Sequence, residues 1–299
     1  MKGIVKWAAL VVAVMASATV LVACGSSSDS GDEASPAAEA KDATTIMTEI
    51  LGHEPTGLAA EIAERGSVVV ANAASYAPFS YIDDNGEMVG FDVDAARGMA
   101  DMLGLELEQK QPAWDSIPTG LQTGRFDVCI ASMSKTAERS KTLDFTSPYY
   151  WVGAQLAVKQ GAEPIAVDEL SGKTAAVAAQ TTGYYWLKDN IKGVSIKTYP
   201  TDAEALQEVA RSRADVYFGS PIVITSAITG GSKVQLSGEP LYYENCSFAL
   251  NKGEADWQAV LDYTVTQMMS SGYLKAKSEE WVNGLDLTVK PPAGTESEM

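Results

Sequence analysis

Hydrophobic and polar positions divide this chain into an apolar start, a polar gap and a long alternating body. Trp7 to Ala23 is apolar except for Ser17 and Thr19, follows Lys2 and Lys6, and runs into Leu21-Val22-Ala23-Cys24-Gly25. A short apolar core behind a positive start and closing on small residues predicts a signal peptide over 1–23. A membrane span usually takes 18 or more apolar residues, longer than this run. Residues 24–45 are mostly Ser, Gly, Ala, Asp and Glu, too poor in apolar surface to fold, and predict a flexible linker. A short helix is possible at Leu58–Glu64.

The body then alternates strand-length and helix-length patterns. Apolar runs predict strands at Val68–Ala71, Leu105–Leu107, Val128–Ala131, Leu156–Val158, Thr174–Ala178, Ser195–Tyr199 and Val216–Gly219. Asp83-Asp84-Asn85-Gly86 between Phe79–Tyr81 and Met88–Val89 has the composition of a hairpin turn. Helices are predicted from a cap at Asp92 to Leu103, with Gly104 ending it, and over Asp115–Thr123, Gly183–Asn190, Asp202–Ser212 and Pro221–Ile228. A last pair covers Asp256–Ser271 and Leu274–Trp281. Repeated strand–helix units argue an α/β sheet, and about 220 residues favour two lobes over one core. The tail over 286–299 carries Pro291-Pro292 and reads as loose.

Charge and cysteine content narrow the chemistry. The net charge of −17 removes electrostatic support for a nucleic-acid role. Cys129 and Cys246 are the cysteines left beside Cys24, too few for a disulfide framework; they read as buried free thiols. The single histidine, His53, has no cysteine pair beside it, so no metal site is expected. No Gly-x-Ser-x-Gly, His-Glu-x-x-His or P-loop string occurs, and neither an enzyme nor a cofactor is expected.

A set of strings spread through the body carries a resemblance. They include Tyr76-Ala77-Pro78-Phe79, Gly90-Phe91-Asp92-Val93-Asp94, Trp114-Asp115, Gly124-Arg125-Phe126-Asp127-Val128 and Thr136-Ala137-Glu138-Arg139. Leu143-Asp144-Phe145-Thr146-Ser147-Pro148-Tyr149-Tyr150, Thr181-Thr182-Gly183, Arg213-Ala214-Asp215 and Gly238-Glu239-Pro240-Leu241 follow. In this order, from Val68 to about Gly284, they resemble the bacterial extracellular solute-binding proteins of family 3, the receptors of polar amino-acid ABC importers.

The resemblance implies a two-lobed periplasmic-binding-protein fold, type II-like, with two hinge crossovers near Tyr149–Gly153 and Tyr242–Ser247. One lobe would comprise 60–149 and 247–285, and the other 154–241. The sequence around Cys24 resembles a lipobox, so a lipid-anchored, extracytoplasmic monomer is expected. Its partners would be a small-molecule ligand, an ABC permease and its ATPase.

The ligand cleft that the resemblance implies contains Tyr76, Trp114, Ser132, Met133, Ser134, Arg139, Thr181, Thr182, Gly183 and Ser220. Arg139 would grip a carboxylate with its planar fork, although its spacing also allows an ion pair with Glu138 or Asp144. Thr181-Thr182-Gly183 lies between a strand and a helix, where free N–H groups bind anions. Tyr76 and Trp114 would stack on the ligand, while Asp92, Asp127 and Asp144 read as capping and packing groups. Many members hold the ligand ammonium with an aspartate where this chain has Ser220. Glu244, near a hinge, is a candidate replacement. The alternative is a betaine-like ligand in an aromatic cage drawn from Tyr76, Trp114, Tyr149, Tyr150, Trp151, Tyr184, Tyr185 and Trp186. A sensing receptor or a dehydratase-type enzyme of the same fold are the other readings.

Overall fold

The computed structural model describes residues 41–296; the expected signal peptide, Cys24 and most of the expected linker lie outside them. The linker ends earlier than its composition suggests. Ala43–Leu51 forms helix α1, capped by the Asp42 carboxylate on the Thr45 N–H at 2.7 Å. Met47 of α1 and Ile62 of helix α2 (Gly57–Arg65) are wholly buried. Both helices pack on the main core, which supplies the apolar surface that a short polar-flanked helix lacks on its own.

Strand β1 (Ser67–Ala71) is followed by β2 (Ser75–Tyr76), β3 (Ser80–Ile82) and β4 (Met88–Val89), which form a small antiparallel sheet. The turn over 83–86 joins β3 to β4, with Tyr81 opposite Val89. Helix α3 (Phe91–Leu103), β5 (Glu106–Lys110), α4 (Ile117–Gln122) and β6 (Val128–Cys129) complete the first part of one lobe. Strand β7 (Leu143–Lys159) leads to β8 (Thr174–Ala178), α5 (Thr182–Asn190), β9 (Ser195–Tyr199) and α6 (Asp202–Ala210). Then come β10 (Val216–Gly219), α7 (Pro221–Thr229), the long return strand β11 (Val234–Asn251), α8 (Ala255–Ser270) and α9 (Tyr273–Trp281).

The large sheet has the order β5-β1-β6-β11-β7-β10-β8-β9. β1 is parallel to β5 and β6, and β8 is parallel to β9 and β10. β7 and β11 run antiparallel from Val234 opposite Lys159 to Asn251 opposite Leu143. These two strands therefore cross from one lobe to the other, and their pairing shifts register near Ser237–Tyr242 and Cys246–Ala249. The strand expected at Leu156–Val158 is the far end of β7. Pattern alone shortens it because the hinge residues Tyr149–Gly153 lack strict alternation.

Two local expectations need correction. Asp92 does not cap α3: Gly90 occupies the cap position, and Asp92 is buried within the first turn. Residues 286–296 are not loose. The Trp151 N–H donates to the Leu287 carbonyl at 3.0 Å, and the Tyr243 N–H donates to the Thr295 carbonyl at 2.8 Å. Main-chain donors on the crossing strands need acceptors, and this segment provides two of them.

Candidate functional site

The parallel strands of both lobes end at one cavity. In open α/β sheets the chain leaves each strand at its carboxyl end and turns into a helix, so ligand crevices form there. Tyr76 follows β1, Trp114 follows β5, and Ser132 and Ser134 follow β6; all line the cavity. From the other lobe come Thr181, Thr182 and Gly183 after β8, Asp202 after β9, and Ser220 after β10. Val152 and Gly153 of β7 and Glu244 of β11 form the floor. Ala74, Ser132 and Gln180 have left-handed φ values of 48°, 56° and 58°. Such conformations are sparsely populated for residues with a Cβ, and here each lies within three residues of a strand end facing the cleft.

Arg139 reaches across this cavity. Its guanidinium donates to the Ser134 carbonyl at 2.8 Å and to the Gln180 carbonyl of the opposite lobe at 3.2 Å. It also lies 5.4 Å from the centre of the Trp114 ring, within cation–π range. Neither suggested surface partner takes it: Glu138 pairs with Lys141, and Asp144 with Lys252. Burial draws the Arg139 pKa down from its ordinary value, and the carboxylate of Glu244 opposes that drop.

The opposing jaw is the start of α5. The Thr181 hydroxyl accepts from the Tyr184 N–H at 3.3 Å and donates to the Ala178 carbonyl at 2.8 Å. This capping leaves the Thr182 and Gly183 N–H groups without helix partners, on the positive end of the helix dipole. Ser220 likewise caps α7, accepting from the Ile222 N–H at 3.2 Å. Glu244 joins the lobes: its Oε2 accepts from the Ser134 hydroxyl on one side and from the Thr182 hydroxyl at 2.8 Å on the other.

Met133, expected to offer backbone groups to the cleft, buries its side chain with Ile117, Leu121 and Phe126, and its carbonyl accepts from the Ser247 N–H at 3.0 Å. Asp202 is the acid that sequence reasoning passed over, because a carboxylate at a helix start already has an ordinary explanation in the helix dipole.

The suggested aromatic cage is not assembled among the described residues. Of the eight aromatic residues named for it, Tyr76 and Trp114 line the cavity. Tyr149 and Tyr150 are wholly buried against Phe91, and Trp186 packs on Phe218 and Tyr242 with ring centres 5.2 and 5.5 Å away. Cys129 and Cys246 are buried and form no disulfide, and burial pushes both thiols upward, away from the reactive thiolate.

Beneath the cavity, Asp92 holds Ser132 in place. The Tyr149 hydroxyl donates to Asp92 Oδ1 at 2.6 Å, the Ser132 hydroxyl donates to Oδ2 at 2.7 Å, and the Ser132 N–H donates to the Tyr149 oxygen at 3.0 Å. Burial raises the Asp92 carboxyl to about 6 despite both hydrogen bonds. Its pKa is above the unfolded value, so its ionisation opposes folding: the group favours the native state most at low pH and loses that advantage between about pH 4 and pH 6. Asp92→Asn removes the charge, keeps one acceptor oxygen for the Tyr149 hydroxyl and can donate to the Ser132 oxygen if that hydroxyl turns. Urea unfolding should show the variant gaining on the parent by roughly 2–3 kcal/mol between pH 4 and pH 7. A difference that stays constant with pH would exclude this assignment.

Comparison with known proteins agrees with this architecture. Residues 68–284 match the family model for bacterial extracellular solute-binding proteins, family 3. The L-cystine-binding protein TcyJ of Escherichia coli is 32% identical over 235 residues, covering 78% of this chain and 88% of that protein. Among solved structures, an ancestral arginine-binding protein bound to arginine has 32% identity and a TM-score of 0.70, covering 73% of this chain and 98% of the other. An ancestral amino acid-binding protein, described as a precursor of cyclohexadienyl dehydratase, has 33% identity and a TM-score of 0.70, covering 74% and 98%. These relatives are solute-binding proteins, and the match extends over both lobes and both crossing strands. The chain belongs to the bacterial extracellular solute-binding proteins, family 3.

Proposed function

We propose that this protein is the substrate-binding lipoprotein of an ABC importer, held at the membrane through Cys24, which captures an amino acid and hands it to a permease. The observation that carries the reading is Arg139 on one lobe facing the N-terminus of α5 on the other across the shared cavity. A ligand carboxylate accepts from the guanidinium fork and from the Thr182 and Gly183 N–H groups. Trp114, beside the guanidinium, and Tyr76 cover the ligand. Only the closed arrangement of the lobes makes both sets of contacts, so binding shifts the population toward it. The permease then reads the closed surface, and its ATPase supplies the work.

Calorimetry against the L-amino acids and small-angle scattering with and without the best ligand test the proposal. The expected result is saturable binding at one site with a smaller radius of gyration in the complex. Tight binding with no compaction would remove the closure mechanism, and no binding of any amino acid would remove the ligand class. Cys24→Ala in the full-length precursor should move the protein from the membrane fraction to the soluble one; unchanged fractionation would remove the lipid anchor.

A further inference from the structure

Arg139, Glu244 and Asp202 are the strongly ionisable side chains lining the cavity: one cation and two anions. If the ligand carboxylate engages Arg139, as proposed above, both acids remain for positive groups. We infer that the cleft selects an amino acid with a second positive group, its α-ammonium on Glu244 and its distal ammonium or guanidinium on Asp202. The inference rests on the amino-acid reading and assigns the two ends of the ligand.

Glu244 is in the right place for the α-ammonium. That group shares a carbon with the carboxylate, so the two must find adjacent partners. Ser134 joins those partners here: its carbonyl accepts from Arg139, and its hydroxyl donates to Glu244. Ser220 supplies no charge, and its hydroxyl is engaged in capping α7.

Asp202 belongs to a different part of the wall. It is not next to Arg139 but follows β9, beside Pro200 and Thr201, and α6 approaches β2 of the opposite lobe at Tyr76. Its Oδ1 accepts from the buried Tyr217 hydroxyl at 2.6 Å, and no other side chain donates to it among the described residues. An ionised carboxylate offers about four acceptor sites, so this one retains capacity facing a cavity. A helix start does not require a carboxylate facing this cavity, since the exposed Glu204 in the same turn already serves the dipole. Burial raises the Asp202 carboxyl above its ordinary value, and an arriving cation reverses that penalty.

Ligand pairs that differ in the distal charge test the assignment on the full mature chain. L-Arginine against L-citrulline and L-lysine against L-norleucine are measured by calorimetry, with L-cystine as a second source of a distal ammonium. At least one ligand with a distal cation should bind about tenfold or more tightly than the neutral ligands. Asp202→Asn should erase that gap. Glu244→Gln should weaken all amino acids alike, as loss of a shared α-ammonium partner requires. Tightest binding by arginine or lysine identifies a cationic amino acid, and by cystine a dimeric one; either supports the inference. Neutral ligands binding as tightly as their charged counterparts, or a gap unchanged in Asp202→Asn, overturns it while the amino-acid reading stands. Failure of every amino acid to bind overturns both.

Discussion

Replacing Arg139 with alanine is expected to weaken ligand binding by about a thousandfold, near 4 kcal/mol, with little loss of fold stability. Hydrogen bonds to charged groups contribute roughly 1.5–3 kcal/mol each, and two are lost together with the counter-charge. Arg139 sits at the mouth of the cleft, where its guanidinium holds two carbonyls and the Trp114 face and makes no ion pair among the described residues. The fold therefore loses two ordinary hydrogen bonds while the ligand loses its anchor. Arg139→Lys should recover only part of the affinity, because an ammonium cannot present the bidentate fork. Calorimetry on both variants, with thermal unfolding as a control, checks this. Alanine-variant affinity within tenfold of the parent would show that the carboxylate is held elsewhere.

Gly90→Ala is the substitution expected to damage the fold most from the smallest change. Gly90 has φ of 129°, a region that side-chain-bearing residues rarely adopt. A Cβ there would collide with the Phe79 carbonyl and lie 2.7 Å from the Pro78 oxygen. Those carbonyls cannot retreat freely. They accept the first N–H groups of α3, from Phe91 at 3.2 Å and Asp92 at 2.8 Å. Backbone strain and overpacking together should cost roughly 3 kcal/mol, lowering Tm by about 9 °C for a domain of this size. Gly86→Ala is the comparison: its φ is also positive, at 83°, but nothing lies within 4 Å of the added methyl, so about 1 kcal/mol is expected. Equal shifts for the two variants would mean that the collision is relieved by movement.

The damage from Gly90→Ala should reach the site as well. Phe79 stacks on Tyr76 at 5.3 Å and on Tyr150 at 5.1 Å, so shifting the Phe79 backbone disturbs a cleft residue through the core. The Gly-Phe-Asp string was visible in the sequence, but its reason was not. Asp92 read as a cap because acids at helix starts usually cap. In the folded chain the close approach of 78–79 takes that role from outside the helix, and Asp92 turns inward to Tyr149 and Ser132.

Much of the architecture was legible because it is local. Strands β8, β9 and β10 and the starts of α6 and α7 follow from apolar runs, Asp and Pro at helix openings, and glycine at helix ends, all short-range effects of backbone and side-chain sterics. Arg139, Thr181, Thr182 and Gly183 stood out through the order of their strings, and the fold brings them to one cavity. Helix α1 was missed because its stability comes from burying Met47 on a core contributed by distant residues. The tail over 286–296 was misread because its hydrogen-bond acceptors serve donors on Trp151 and Tyr243, which composition cannot connect to it.

By itself, then, the sequence determined the alternation of strands and helices and the α/β class, and it singled out Arg139. Each depends on neighbours within a few positions. Only the tertiary structure decided which side chains share the cleft: that the Met133 side chain faces the core, that Tyr149 and Tyr150 belong to the core, and that Glu244 and Asp202 stand in one cavity with Arg139. Those assignments depend on which strand ends meet across the two lobes, a contact between residues far apart in the chain that no local pattern encodes.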